Sequence, residues 1–388
     1  MLIFDFIKTH KMKHLNYLLL ILFTTTFSSC TLGRYVWYNA AEVDDYKHFE
    51  QRKINANKKA FKFPYSQNKI IIDSIFPKKS IKVNGKTINS LKKHIEKSGT
   101  LAFIIIKNDS IVSEEYFNGH SKESISGSFS MAKSVVSLLI GCAIEDSYID
   151  SEKDSITKYL PELSKNGFDD ITIEHLLQMT SGIKFSENYW LPFAHAGNFY
   201  YGRNLWKETL KLKKKYKPGE HFDYRSGDTQ ILGFILNRVL NDITLSKYLE
   251  KKIWRPLGME YNASWLIDSK GMERAFVGIN ATALDFAKIG KLVLNNGNWN
   301  GKQIIQKEWI IKSFEINSSN KNPQTNDYVY QYQWYLKDKG KKGIYAFGYR
   351  GQCLYFNKSS NTVMIRLGKK HGEMDWDELF YAISKTYE

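Results

Sequence analysis

Between Ser130 and Ile144 the chain reads Ser-Met-Ala-Lys-Ser-Val-Val-Ser-Leu-Leu-Ile-Gly-Cys-Ala-Ile, apolar on nearly every helical face. A helix of that kind has no side to give to water, so it has to sit at the centre of a core. It therefore demands a large domain around it. The chain can supply one: 388 residues with 43% apolar and 14% aromatic content exclude a disordered chain and a small stapled scaffold. Single cores stop growing near about 250–300 residues, so the length fits two to three domains, or one large domain with an insertion. The cysteines Cys30, Cys142 and Cys353 form no disulfide framework and no Cys-x-x-Cys pair, and Cys142 and Cys353 read as small buried apolar residues.

The same stretch carries a lysine one turn after a serine. The bare Ser-x-x-Lys pattern means little here, because it begins at Ser66, Ser90, Ser130, Ser155, Ser181 and Ser318. Only Ser130 opens a buried helix. There Lys133 lies on the face of Ser130, and burial together with the positive end of the helix dipole lowers its pKa. An amine held unprotonated in that way can accept the proton of the serine hydroxyl. Other chemistries lack their signatures: no Gly-x-Ser-x-Gly elbow, no His-Glu-x-x-His, no phosphate-binding loop, and histidines that are scattered. Neither a metal nor a cofactor is expected.

Ser130-Met-Ala-Lys133-Ser134 resembles the active-site segment of serine hydrolases related to β-lactamases and penicillin-binding proteins. The likeness is to the class C-like branch, with its carboxylesterases, D-aminopeptidases and 6-aminohexanoate-dimer hydrolases. Further segments match in order: Ile171–Ile183, Lys217-Pro218-Gly219-Glu220 through Tyr224-Arg225-Ser226, Trp254–Met259, Ala281–Ala287 and Gly297–Gly301. The resemblance spans about residues 95–370. It implies Ser130 as nucleophile, with Lys133 and Tyr224 relaying its proton. In the family a tyrosine-x-asparagine motif sets a phenol beside the lysine, where it can titrate low; here Ser226 replaces the asparagine, which favours the dimer-hydrolase and esterase side over β-lactam turnover. The usual Lys-Thr-Gly or His-x-Gly strand matches best at Gly348-Tyr349-Arg350-Gly351-Gln352. On that match the N–H groups of Ser130 and Gln352 form the oxyanion hole, Gly351 admits the substrate backbone, and Arg350 is the candidate for a substrate carboxylate, Tyr349 being neutral. Ser226, Tyr349, Arg350, Gly351, Tyr189 and Trp190 are the expected substrate-binding residues. The expected reaction is hydrolysis of an ester, amide or short peptide bond, with D,D-peptidase, β-lactamase and a non-catalytic surface binding protein as alternatives.

The hydropathy pattern gives the framework. Leu101–Ile106, the turn Lys107–Ser110 and Ile111–Phe117 read as a β-hairpin. Helical patterns run from about Ser130 to Leu257, and strands return at Tyr328–Leu336, Gly343–Phe347, Gln352–Phe356 and Thr362–Leu367. Strands, a long helical insertion, then strands completing the first sheet make an α+β fold. The resemblance adds its type: a β-lactamase/D,D-peptidase-like antiparallel sheet flanked by helices. The hydrolase domain is set at 95–388, its sheet part about 95–129 and 275–388, its helical part about 130–274. Residues 30–94 read as a polar tether or wrap, with one short strand at Ile70–Ile75.

Residues 1–29 have a signal-peptide layout: Lys8, Lys11 and Lys13, the apolar run Tyr17–Phe23, then small hydroxyl residues. That run is far shorter than the about 20 residues of a spanning helix. Phe27-Ser28-Ser29-Cys30 resembles a bacterial lipobox, making Cys30 a lipidation candidate and the cell envelope the expected location, with the membrane as partner through a lipid anchor. The net charge of +16 falls only to +14 without the leader, whose three lysines are offset by Asp5. Export signals and the lack of a nucleic-acid fold make DNA or RNA an unexpected partner; the basic surface is read as solvated, or as facing anionic envelope material.

Overall fold

The computed structural model describes residues 31–38, 40–76, 82–83, 86–189, 191, 194–316, 328–337 and 343–388. The leader, Cys30 and Trp190 lie outside them. The hairpin forms as expected, Thr100–Lys107 pairing with Ser110–Tyr116, because Asn108 and Asp109 both take positive φ (48° and 61°) in the two-residue turn. Its triple-isoleucine strand is buried on both faces: Ile104 and Ile106 join the main core, and Phe103 and Ile105 a second cluster behind the sheet. Helices on both sides are the consequence.

The strands of the C-terminal third complete that sheet. In space the order is Tyr328–Gln331, Trp334–Lys337, Ile344–Gly348, Gln352–Asn357, Thr362–Gly368, Thr100–Lys107, Ser110–Tyr116, all antiparallel. Thr362–Gly368 locks beside Thr100–Lys107, so the two ends of the span 95–388 share one sheet. The stretch read as a single strand over Tyr328–Leu336 is a hairpin, broken where Tyr332 and Gln333 take φ of 45° and 69°. Ile70–Ile75 is likewise no strand; it holds a 3₁₀ turn at Ile72–Ser74.

The apolar helix is Met131–Glu145, buried from Met131 through Ala143. It packs on the inner face of the sheet together with Ala283–Leu294, while Trp376–Lys385 and Leu91–Lys97 cover the outer face. The segment after residue 39 is a wrap and not a tether. Val43, Phe49 and Ile54 enter the main core, and Gln51–Ile54 pairs with Ala263–Leu266 in a small sheet that also holds Ile279–Ala281 and Ser126–Gly127. Ser126–Gly127 runs directly into Ser130, so this wrap reaches the neighbourhood of the serine. Among the described residues, no helix is long and apolar enough to cross a membrane, and no cluster of His, Cys, Asp and Glu has metal-binding geometry.

Candidate active site

Ser130 stands at the N-terminus of the central helix, behind Phe129, whose φ of +45° is a left-handed conformation uncommon for an aromatic residue. Strain of that kind, about 1–3 kcal/mol, persists where surrounding contacts over-determine it. One turn on, Lys133 is only 1% exposed. Its Nζ meets three oxygens: Ser130 Oγ at 3.0 Å, Ser226 Oγ at 3.1 Å and the carbonyl oxygen of Phe276 at 3.0 Å. The Phe276 carbonyl accepts only. Ser226 Oγ lies 3.1 Å from Glu187 Oε2, and its proton is committed to that carboxylate, so toward Lys133 it too accepts. Two of the three directions therefore require N–H bonds. In the neutral amine the lone pair is left for Ser130, which is the geometry of a base taking the serine proton.

Burial pushes Lys133 down to about 8, with the charge of Glu187 acting the other way. Glu187 itself is raised, chiefly by desolvation, with Lys133 and two hydrogen bonds from Ser226 opposing. One of these bonds comes from the Ser226 backbone N–H at the start of the helix Ser226–Leu240, where a carboxylate also meets the helix dipole. Tyr189 completes the cluster, its hydroxyl 3.1 Å from Ser226 Oγ. Sequence reasoning missed Glu187, since Ser186-Glu187-Asn188 reads as an ordinary polar loop. The loop is held by His195, whose Nδ1 accepts from Ser186 N at 3.1 Å and whose ring stacks on Phe185.

The structure brings Tyr224 beside Lys133, its ring centre 4.9 Å from Nζ, with a hydrogen bond to Ser130 favouring the phenolate. The low-titrating phenol does not hold. Burial first, then Tyr335, Tyr330 and Glu187, push Tyr224 well above the usual tyrosine range. It is a neutral phenol beside an amine that titrates below it.

Ser130, Glu187, Tyr189, Tyr224 and Tyr349 line one cavity of about 460 Å³, whose remaining walls are largely aromatic and aliphatic. Glu187 is the one charged side chain among the described lining residues. The third motif is only partly there. Arg350 turns away: its Nε donates to Ala41 O at 3.1 Å and its Nη2 to Glu42. Gly351, at φ +78°, seats Arg366, because a Cβ there would lie 2.1 Å from Arg366 Nη1. Gln352 pairs with Gly348 in the sheet, and its side chain exchanges two hydrogen bonds with Gly368, at 2.6 and 3.0 Å. Gly351 and Gln352 line a different cavity, of about 540 Å³. The glycine of close approach is Gly348, where a Cβ would meet Ser128 O at 2.4 Å. The next residue, Tyr349, lines the cavity of Ser130 and sets its ring edge-on against Phe129 at 5.5 Å.

A family model described as Beta-lactamase matches residues 91–388. The chain belongs to the beta-lactamase family. It is similar to the 6-aminohexanoate-dimer hydrolase of Paenarthrobacter ureafaciens, at 23% identity over 297 residues, 71% of this chain and 74% of that protein. Among solved structures it resembles the "Putative 6-aminohexanoate-dimer hydrolase from Bacillus anthracis", with a TM-score of 0.77, 24% identity, and coverage of 89% of this chain and 91% of that one. It also resembles EstCE1, described as a hydrolase with promiscuous acyltransferase activity, at a TM-score of 0.61, 12% identity, and 76% and 96% coverage. This beta-lactamase-family chain thus has the hydrolase fold and its antiparallel sheet, with esterase- and amidase-like homologues.

Proposed function

We propose that the protein cleaves an ester or amide through a covalent acyl-enzyme on Ser130. The observation that carries this reading is the set of three oxygens around Lys133 Nζ, which in the neutral amine commits two N–H groups to Ser226 and Phe276 and turns the lone pair to Ser130 Oγ. Ser130 Oγ adds to the substrate carbonyl carbon while its proton passes to Lys133, and the carbonyl electron pair moves onto oxygen. The N–H groups of Ser130 and Tyr349, two residues that line the cavity, are the donors assigned to that oxyanion; a donor of this kind contributes about 10²–10³ in rate. Collapse breaks the bond to the leaving group, which is protonated by neutral Tyr224, itself recharged from Lys133. Water, deprotonated by Lys133, then adds to the acyl carbonyl, and collapse breaks the bond to Ser130 Oγ, which takes the proton back from Lys133 and frees the acid.

The cavity favours an acyl group that is apolar and uncharged, or cationic, because its walls are aromatic and Glu187 is its charged member. A carboxylate one carbon from the scissile nitrogen, as on a penicillin or a D-alanyl peptide end, would be held near Glu187 while Arg350 is engaged by Glu42; in 6-aminohexanoate dimer the carboxylate stands five methylenes from that nitrogen and the acyl half is cationic. Esterase or 6-aminohexanoate-dimer-like amidase activity is therefore preferred over D,D-peptidase or β-lactamase activity. The test is a panel of p-nitrophenyl esters of varied chain length, 6-aminohexanoate dimer and nitrocefin on wild type and Lys133→Ala. Lysine-dependent turnover of an ester or the dimer supports the reading; no such turnover of any member sinks it. Export and a lipid anchor on Cys30 complete the proposal, resting on the charge and hydropathy of residues 1–30. Metabolic labelling with a palmitate analogue, lost in Cys30→Ala, would support the anchor, and retained labelling would refute it.

A further inference from the structure

We infer that the segment Ala40–Asp45 is a wall of the acyl-binding cavity, latched by Arg350 and Glu42, and that it sets how long an acyl group the enzyme accepts. The inference rests on the hydrolase reading above. The segment lies outside residues 91–388 that match the family, yet Ala40 and Ala41 line the cavity of Ser130. Ala41 is buried.

Two sets of bonds hold the segment, and they meet at Glu42. On the C-terminal side, Val43 O accepts from Gly127 N at 2.8 Å, and the buried carboxylate of Asp45 accepts from Glu42 N at 3.1 Å and from the Tyr200 hydroxyl. On the N-terminal side, what fastens Ala41 and Glu42 to the sheet is Arg350, through the Ala41 carbonyl and the Glu42 carboxylate. Arg350 reaches them because it takes φ +66° in the turn after Ile344–Gly348, with its guanidinium 5.1 Å from the Tyr349 ring centre. Breaking the latch loosens Ala40 and Ala41, while the Glu42 backbone, Val43 and Asp45 stay in place.

The wrap also backs the wall it does not form directly. Tyr200 and Tyr201 line the cavity; Asp45 holds the first by its hydroxyl, and Tyr35, in the helix Thr31–Tyr38, packs edge-on against the second at 5.2 Å. A chain-length limit follows from apolar walls held from outside. Each methylene that such a wall admits or rejects changes selectivity by about 10-fold or more.

The test uses the full chain and ethyl alkylphosphonofluoridates carrying a butyl or a hexadecyl chain on phosphorus, which stands for the acyl group. Ser130 Oγ displaces fluoride, and the labelling rate at Ser130 is read by mass. Glu42→Ala, which leaves Arg350 only the Ala41 carbonyl and so loosens the wall, is expected to raise the hexadecyl-to-butyl rate ratio about 10-fold, and Ala41→Phe, which thickens the wall, to lower it by a similar factor. Should Ala41→Phe fail to fold, Glu42→Ala alone decides. An unchanged ratio with Ser130-dependent labelling intact would overturn the wall and leave the hydrolase reading standing. Wild type unlabelled at Ser130 would overturn the hydrolase reading, and the wall with it.

Discussion

Ser226 Oγ lies 3.1 Å from Lys133 Nζ and accepts its hydrogen bond, a contact that the asparagine of the resembling motif would have to make with a longer side chain. The shorter residue makes room for Glu187, which takes both the backbone and the hydroxyl hydrogen bonds of Ser226. The lysine thereby gains a negative charge behind it that opposes the effect of burial. On the proposed mechanism, the serine in place of asparagine retunes the base.

This retuning sets the pH dependence. The base works unprotonated, so kcat/KM should rise with pH and reach half its limit near the lysine value of about 8. Glu187→Gln removes the charge that holds the proton on Lys133, so the limb should move to lower pH. A pH–rate profile checks it; a limb that stays or moves upward would show that Glu187 does not act on Lys133.

Lys133 should also cost stability. Its folded value of about 8 lies below the ordinary 10.5, so the unfolded chain binds more protons between these pH values and stability rises as pH increases through them. Lys133→Met should lose turnover and show a flatter pH dependence of stability between pH 7 and pH 10, because the amine that titrates there is gone. Denaturant unfolding at pH 7 and pH 10 is the measurement; equal wild-type and variant slopes would refute the assignment.

Tyr224→Phe separates the two proton carriers. If neutral Tyr224 delivers the proton to the leaving group, the loss should reach about 10²-fold or more on an amide, whose amine must be protonated. It should be smaller on a p-nitrophenyl ester, whose leaving group departs as an anion. Equal losses on both substrates would place Tyr224 in the attack step instead.

Gly351→Ala tests the correction to the third motif. A Cβ at φ +78°, 2.1 Å from Arg366 Nη1, should destabilise the fold by about 1–3 kcal/mol. Arg366 would lose its seat against the Gly351 carbonyl, a bond of 2.6 Å. The expected readout is a lower Tm with Ser130 labelling intact below the transition. Loss of labelling at full stability would return Gly351 to the substrate site.

The parts of this site that were legible in the sequence are those backed by a physical pattern. Ser130 and Lys133 stand out because a helix apolar all round cannot hold a lysine without a reason, and Tyr224 because a Pro-Gly turn leads to it and a buried helix follows. Glu187 was not legible: its partners come from residues 133 and 226, and nothing local marks a loop glutamate for burial. The Gly348–Gly351 stretch offered two glycines that read alike. Only the approach of Ser128 O to one and of Arg366 to the other tells them apart. The wrap was read as polar because its contacts, Val43 with Gly127 and Asp45 with Tyr200, lie far along the chain.

The most direct test of the central claim is the mass of the protein quenched during turnover of a slowly deacylated p-nitrophenyl ester. The account expects a gain of one acyl group on the peptide carrying Ser130, absent in Ser130→Ala and in Lys133→Ala. Turnover without that adduct, or the same adduct in Ser130→Ala, would contradict it.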